Sequence, residues 1–317
     1  MAVPPRVAVA TSGGLDSTVL LHCTLAQARP LGVQVWALHV HHGLMPEADA
    51  WQARVRRQAL RWGARFAGER LAGAPAKGDS VEAWARQGRY AALGRLAREA
   101  GCPLVLLAHH RRDQAETWLL QALRGAGVAG LSAMPRQALR EGLVWARPWL
   151  EQPREAIEAY ARRHRLRGVH DPSNDDPRFA RGRLRGQVWP VLQAAFPSLD
   201  TVLATAARHA QSAQALAEEV AQADLAVLLH GDALRLAPWL ALTPARRANA
   251  LRAWLALRLG QGAPQTLVDR LLTEAPAGSA PARWPAPGAV VQRRRGELRL
   301  LPVAVTAAAP TVRQRPL

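Results

Sequence analysis

The sequence predicts an α/β fold: a doubly wound, mostly parallel sheet followed by a smaller, mainly helical C-terminal domain. Short apolar runs alternate with amphipathic stretches through the first half, the βαβα rhythm of a parallel sheet. A Ser/Gly-rich turn at Ser12–Ser17 joins the first run to the first amphipathic stretch. After Pro197 the alternation gives way to one long Ala-rich stretch with few breakers. A chain of 317 residues fits two domains, and 49% hydrophobic content fills real cores, which excludes wholesale disorder.

Strands are expected at Arg6–Ala10, Val33–Val40, Ala64–Leu71 and Pro103–His109, with a weaker one at Leu143–Arg147. Each is a short apolar run bounded by turn formers. Helices are expected near Ser17–Ala28, Asp49–Trp62, Ser80–Ala100 and Gln114–Leu123, then Pro153–Arg163 and Arg183–Ala195. Leu199–Leu229 reads as a connecting helix, followed by helices at Pro244–Leu259 and Thr266–Thr273. The Pro/Ala/Gly-rich stretch 275–287 reads as loop, and Val290–Arg294 with Glu297–Leu301 as a hairpin around Gly296. The expected domains are therefore residues 1–197, a connector over 198–229, and a small domain over 230–317.

Ser12-Gly13-Gly14-Leu15-Asp16-Ser17 gathers backbone N–H groups, hydroxyls and a helix N-terminus around one point, where phosphate binds well. Its glycines let the backbone approach the anion without a Cβ in the way. It is not a Walker A loop: GxxxxGKS/T is absent, and the only lysine is Lys77. The turn resembles the PP-loop of ATP pyrophosphatases, which hold the β,γ-pyrophosphate and expose the α-phosphate to an acceptor oxygen.

Two clusters fall at expected strand ends. His39, His41 and His42 end the second strand; no carboxylate or thiol set completes a metal site there, and a nucleotide or substrate contact is better motivated. In His109-His110-Arg111-Arg112-Asp113-Gln114-Ala115-Glu116, Asp113 and Glu116 lie one helical turn apart on a common face. They either stabilise a helix start or, with His109, recognise an ammonium group. A lysine amine has a pKa of about 10.4 and needs help to react at neutral pH. Arg178, Arg181, Arg183 and Arg185 follow a turn-forming Asp171–Asp176 stretch and read equally as a phosphate clamp or a solvated helix start. Arg293-Arg294-Arg295 is a further basic run. Gly125-Ala126-Gly127-Val128-Ala129-Gly130 satisfies GxGxxG but follows a helix, so it opens no dinucleotide fold.

The net charge of +18, almost all from arginine, argues for a polyanionic partner such as nucleic acid. Cys23 and Cys102 are the only cysteines, far apart, and cannot build a zinc or iron–sulfur site. Lone thiols, no apolar leader and no run near 18 apolar residues lead to the expectation of a cytoplasmic protein without a membrane partner. The oligomeric state stays open, a dimer included.

Taken in order, SGGLDST, HVHHGL, Glu82-Ala83-Trp84-Ala85-Arg86…Arg89-Tyr90, HHRRDQAET, Leu123-Arg124-Gly125-Ala126-Gly127…Gly130-Leu131 and DPSNDDPRFARGRLR resemble the tRNA(Ile)-lysidine synthetase family across about residues 6–190. The resemblance implies a fold like that of the adenine nucleotide alpha hydrolases. It also implies an ATP-dependent ligase that joins free L-lysine to C2 of the wobble cytidine in a tRNA(Ile) with a CAU anticodon. ATP would adenylate the cytidine O2 and release pyrophosphate; the lysine ε-amine would then attack C2 and expel AMP. The implied ATP-binding residues are Ser12, Gly13, Gly14, Leu15, Asp16, Ser17, His39 and His42, with Mg²⁺ near Asp16. The implied catalytic set is Asp16, His109, Asp113, Glu116 and Arg181, and the implied tRNA contacts are Arg86, Arg124, Arg178 and Arg185.

The chain departs from the family pattern at Arg112, where an acid is usual, and at Gly182, where Asn commonly stands. Many members carry a further C-terminal tRNA-binding domain, and the expectation from the resemblance is that residues up to 317 leave no room for one. The alternatives are a PP-loop tRNA thiolase, a PP-loop amide former acting on a small carboxylate, and a non-catalytic RNA-binding protein.

Overall fold

A computed structural model describes residues 4–41, 48–73, 81–169, 176–277 and 281–302. The chain divides into two units, Met1–Gln211 and Ser212–Leu317.

The first unit is built on β1 (Arg6–Ala10), β2 (Gln34–His41), β3 (Arg65–Arg70), β4 (Leu104–Leu106), β5 (Gln137–Arg140) and β6 (Leu143–Ala146), in the spatial order β3-β2-β1-β4-β6-β5. Four neighbouring pairs are parallel; β5 alone runs antiparallel, against β6. The interleaved helices are α1 (Leu15–Ala28), α2 (Ala48–Arg61), α3 (Val81–Glu99) and α4 (Arg111–Ala122), followed by a single turn, α5 (Val128–Leu131), and by α6 (Arg154–Arg163).

Strand side chains alternate between the two faces. Val7 and Val9 of β1 pack with Leu20, Leu21 and Leu25 of α1, while Ala8 packs on the other face with Leu93 and Leu96 of α3. The chain steps outward from β1 to β3, then returns to place β4 on the opposite side of β1. The crevice beyond the C-terminal ends of β1 and β4 is therefore the switch point where open α/β sheets bind ligands.

Three sequence expectations need correction in this unit. The strand expected over Pro103–His109 ends at Leu106, so His109 and His110 stand in the following loop, where their side chains are not tied to sheet alternation. The sequence missed β5, a short polar edge strand with one half-buried residue. The helix expected over Arg183–Ala195 is three pieces: α7 (Ala180–Arg183), a π turn over Leu184–Val188, and α8 (Trp189–Ala195). Pro190 has no N–H to donate to Gly186, and the N–H of Trp189 reaches back to the Leu184 carbonyl, five residues earlier.

Helix α9 (Leu199–Leu228) contains the division between the units. In the second unit its C-terminal end contributes Leu225 and Leu228 to a core with Trp239, Leu251, Trp254, Leu271, Trp284 and Leu298. The remaining helices are α10 (Leu236–Leu240), α11 (Pro244–Leu259) and α12 (Gln265–Glu274). A second sheet joins β7 (Leu229–His230), β8 (Ala233–Arg235), β9 (Ala282–Ala286), β10 (Ala289–Arg294) and β11 (Glu297–Pro302) in the order β7-β8-β11-β10-β9. The hairpin around Gly296 is β10–β11, paired Arg294 to Glu297. Strand β9 corrects the loop expected there: Pro285 is tolerated because β9 is an edge strand, bonded only to β10. No helix among the described residues is long and apolar enough to cross a membrane.

Candidate active site

The turn after β1 is folded by its own hydroxyls. Ser17 Oγ donates to the Gly14 carbonyl at 3.0 Å and lies 3.2 Å from Ser12 Oγ, which accepts the Gly14 N–H at 3.3 Å. Gly13 has φ +92°, open to glycine and costly for other residues. Gly14 caps α1 without a side-chain bond, so the orphan N–H groups of the first helical turn stay available to an anion.

A later segment closes this turn. The Val169 N–H donates to the Gly13 carbonyl at 2.8 Å, and a Cβ on Gly168 would stand 2.2 Å from the Leu15 nitrogen. Gly168 is thus required for close approach, a role its sequence context did not signal.

Beyond β4, His110 caps α4 and its backbone N–H donates to Asp113 Oδ2 at 3.1 Å. His110 Nε2 lies 3.4 Å from that same oxygen and 3.8 Å from Asp16 Oδ2. One nitrogen of a buried imidazole therefore faces two carboxylates, Asp16 in the first turn of α1 and Asp113 in the first turn of α4. Sequence reasoning chose His109 from this pair and missed His110, since adjacent identical residues give no one-dimensional sign of which faces the loop. Burial drives the His109 imidazole pKa down to about 3, and its Nδ1 meets no hydrogen-bond partner among the described residues. His109 is neutral at physiological pH and a poor base for an ammonium group.

Burial raises the pKa of Asp16 above the usual carboxylate range, against the opposing pull of His110 and Arg154. Burial alone would raise Asp113 as well, but His110, Arg181, His109 and Arg185 together outweigh it and hold that carboxyl low.

Glu116 has no exposed side-chain surface and is engaged by three guanidiniums. Arg181 Nε donates to Oε2 at 3.1 Å, Arg185 Nε to Oε1 at 2.8 Å, and Arg112 Nε lies 3.4 Å from Oε1. Arg185 also donates to Asp113 Oδ1 at 2.9 Å, and Arg181 to Thr117 Oγ1 at 3.0 Å. Arg112, where the family usually has an acid, also lies over the Trp189 ring at 5.2 Å.

This arrangement corrects two expectations. Arg185 is not a free tRNA contact but part of the carboxylate cluster. Glu116 is enclosed by arginines and has no exposed side-chain surface, whereas the Asp113 side chain is 12% exposed. Gly182 also has a reason: a Cβ there would lie 2.1 Å from the Asp176 carbonyl oxygen, so a side chain would displace the turn that orients Arg181.

Of the other expected residues, His39 is buried, and its Nδ1–H donates to the Thr11 carbonyl at 2.7 Å beside the phosphate turn. Burial depresses its pKa, with the Thr11 bond opposing. Arg86 lies 5.4 Å from the Tyr90 ring centroid. Arg124 is exposed just past α4. Arg178 is exposed and bidentate to Asp176, with bonds of 2.8 and 2.6 Å to Oδ2, outside the carboxylate cluster. His42, Lys77 and the Asp171–Asp175 stretch lie outside the described residues. Cys23 lies within α1, and Cys102 is buried with its thiol pushed up to about 11 by that burial. Neither thiol is placed for sulfur transfer.

Residues 2–192 match the family model of the PP-loop domain, and residues 234–299 that of the TilS substrate binding domain. The chain is 47% identical over 304 residues to a tRNA(Ile)-lysidine synthase of Ralstonia nicotianae, covering 92% of this chain and 64% of that one. It is 42% identical over 310 residues to the tRNA(Ile)-lysidine synthase of Bordetella pertussis, covering 93% of this chain and 95% of the relative. Among solved structures, the U34-tRNA thiolase NcsA from Methanococcus maripaludis, with its [4Fe-4S] cluster, matches with a TM-score of 0.55 at 15% identity over 66% of this chain and 73% of that chain; the likeness is one of fold. A PP-loop domain followed by a substrate-binding domain, at this identity over nearly the whole chain, assigns it: the chain belongs to the tRNA(Ile)-lysidine synthase family.

Proposed function

We propose that the protein ligates free L-lysine to C2 of the wobble cytidine in a tRNA(Ile) with a CAU anticodon, converting ATP to AMP and pyrophosphate. The observation that carries this reading is the convergence of Asp16 and Asp113 on His110 Nε2, beyond β1 and β4. It joins a phosphate-binding turn to a carboxylate able to receive an amine.

In this reading the N–H groups of Gly13–Ser17 cradle the pyrophosphate and leave the α-phosphate open to the cytidine O2. His39 orders the turn through Thr11, and His42 completes the nucleotide side. Three guanidiniums (Arg112, Arg181, Arg185) face Asp113 and Glu116, and Asp16 also acts on Arg185, so the charges are close to balanced. What the cluster supplies is guanidiniums already held in position to stabilise charge developing on a transferring phosphoryl group. Asp113 receives the lysine amine, while Glu116 acts by fixing Arg181 and Arg185.

The residue assigned to Mg²⁺ is Asp16, whose Oδ1 is buried without a hydrogen-bond partner among the described residues; no second carboxylate set joins it there, so most of the ion's ligands would come from the nucleotide phosphates and water. Asp16 would hold the ion, which neutralises phosphate charge when bound. Arg86, Arg124 and Arg178 are assigned to the tRNA. The place of action in this reading is the cytoplasm.

The test is mass spectrometry of nucleosides from unmodified CAU tRNA(Ile) incubated with the protein, ATP, Mg²⁺ and lysine. A lysine-bearing cytidine that disappears when ATP is omitted is the expected result. A folded protein that binds ATP and yields no such product overturns the reading.

A further inference from the structure

A second cationic feature lies next to the phosphate turn and is used by nothing above. A cavity of ≈ 480 Å³ is lined by Leu15, Glu158, Arg162, Arg165, Leu166 and Arg167 among others. All three arginines are exposed, and none of their guanidiniums has a hydrogen-bond or ion-pair partner among the described residues. Glu158 does not balance them, because Arg154 Nε already donates to it at 3.1 Å. The contrast with Arg112, Arg181 and Arg185, all held by carboxylates, is sharp.

The backbone here is unusual. The Leu166 N–H donates to the Ala161 carbonyl at 2.9 Å and the Arg165 N–H to the Arg162 carbonyl at 3.2 Å. This paired closure ends α6 in a Schellman motif, with Arg165 in the left-handed region at φ 53°. Glycine is the residue this position favours. Ala133, Glu141 and Arg295 adopt the same conformation, so the backbone alone does not mark a site; at Arg165 it coincides with an unpaired guanidinium on a cavity, and that conjunction points to use of the side chain. Arg162 has a bland explanation, since cations suit a helix C-terminus. Arg165, one residue past the cap and strained, does not.

The position is informative too. From Arg165 the chain runs directly to Gly168 and Val169, which pack on Leu15 and Gly13 of the phosphate turn. The cavity thus shares Leu15 with the start of the helix that follows the phosphate turn, and three arginines line it. We infer that this cavity is a backbone-phosphate subsite for the RNA substrate, seating the strand that carries the reacting nucleotide. The inference takes the identity of its ligand from the function proposed above.

Arg165→Gly separates structure from function, because it relieves the backbone while removing the guanidinium. Binding of an unmodified CAU tRNA(Ile) transcript is measured by fluorescence anisotropy across a KCl series, without ATP or lysine. The Kd for ATP and the melting temperature are measured alongside. Arg165→Gly should melt at the same temperature or higher, bind the transcript about fivefold to tenfold more weakly, and lower the slope of log K against log salt by about one. Adding Arg162→Ala and Arg167→Ala should lower the slope by about two to three in all. ATP affinity should stay within about twofold.

Unchanged RNA affinity and slope in Arg165→Gly overturn the inference, as does weakened ATP binding with RNA binding intact, which would make the cavity a nucleotide site. RNA binding is read without turnover. A wild-type protein that binds the transcript through these arginines but forms no lysine-bearing cytidine would therefore overturn the proposed reaction and leave the subsite standing.

Discussion

The backbone N–H of Val169 donates to the carbonyl oxygen of Gly13 at 2.8 Å, so the phosphate turn is held shut from outside by a segment distant in sequence. The turn's anion-binding geometry therefore depends on the approach of that segment as much as on Ser12–Ser17.

Gly168→Ala tests this dependence. A methyl group there would meet the Leu15 nitrogen at 2.2 Å, and forced overpacking of this kind costs about 1–3 kcal/mol. ATP-dependent pyrophosphate release should fall with it, whereas Gly262→Ala, with nothing near its Cβ position and no left-handed backbone, should leave release intact. Steady-state release assays on both variants check this, and full activity in Gly168→Ala would refute it.

Asp16 and Glu116 should respond oppositely to neutralisation. Asp16 carries a folded pKa raised mainly by burial, so its charge opposes folding at neutral pH. Asp16→Ala should melt at the wild-type temperature or above it while pyrophosphate release falls by at least about a hundredfold. Glu116→Gln removes the counter-charge for three guanidiniums and should cost about 3–5 kcal/mol, read from urea unfolding.

Stability should rise with pH between about 3 and 6.5 in part through His109. Its pKa in the folded protein is about 3, against about 6.5 unfolded. In that window the unfolded chain binds a proton that the native one does not, so stability is complete above 6.5 and drains away on acidification. The slope contributed is at most about 1.4 kcal/mol per pH unit. Chemical denaturation at pH 4.5, 5.5 and 6.5 should show a shallower slope in His109→Gln than in wild type. Burial lowers His39 in the same direction, so the double variant should be shallower still.

In the second unit Trp284 is fully buried, and its Nε1–H donates to Glu274 Oε2 at 2.6 Å. Trp284→Ala should cost about 3–5 kcal/mol. Trp284→Phe, which loses the hydrogen bond and less volume, should cost less. Calorimetry of both variants orders the two terms.

The sheet was legible because its strands are apolar and its helices amphipathic; β1 falls on Arg6–Ala10 as read. Strands β5 and β9 were hidden for local reasons: Gln137–Arg140 is polar, and Pro285 contradicts any strand that is not at an edge. The carboxylates were legible as a helical pair, but their partners were not. Nothing in the spacing says that Arg185 turns inward to Asp113 while Arg178 turns outward to Asp176. That choice follows from the π turn and from Gly182, whose missing Cβ admits the Asp176 carbonyl.

The phosphate turn leaves the ribosome on the order of 150 residues before the segment that closes it, which at 5–20 residues per second is a gap of roughly eight to thirty seconds. During synthesis β1 and α1 can form while their anion cradle still lacks its outer wall. A nascent chain should therefore acquire its first helix long before it can retain a nucleotide, and chains truncated before Gly168 should adopt the early βαβ structure without the ligand affinity of the finished protein.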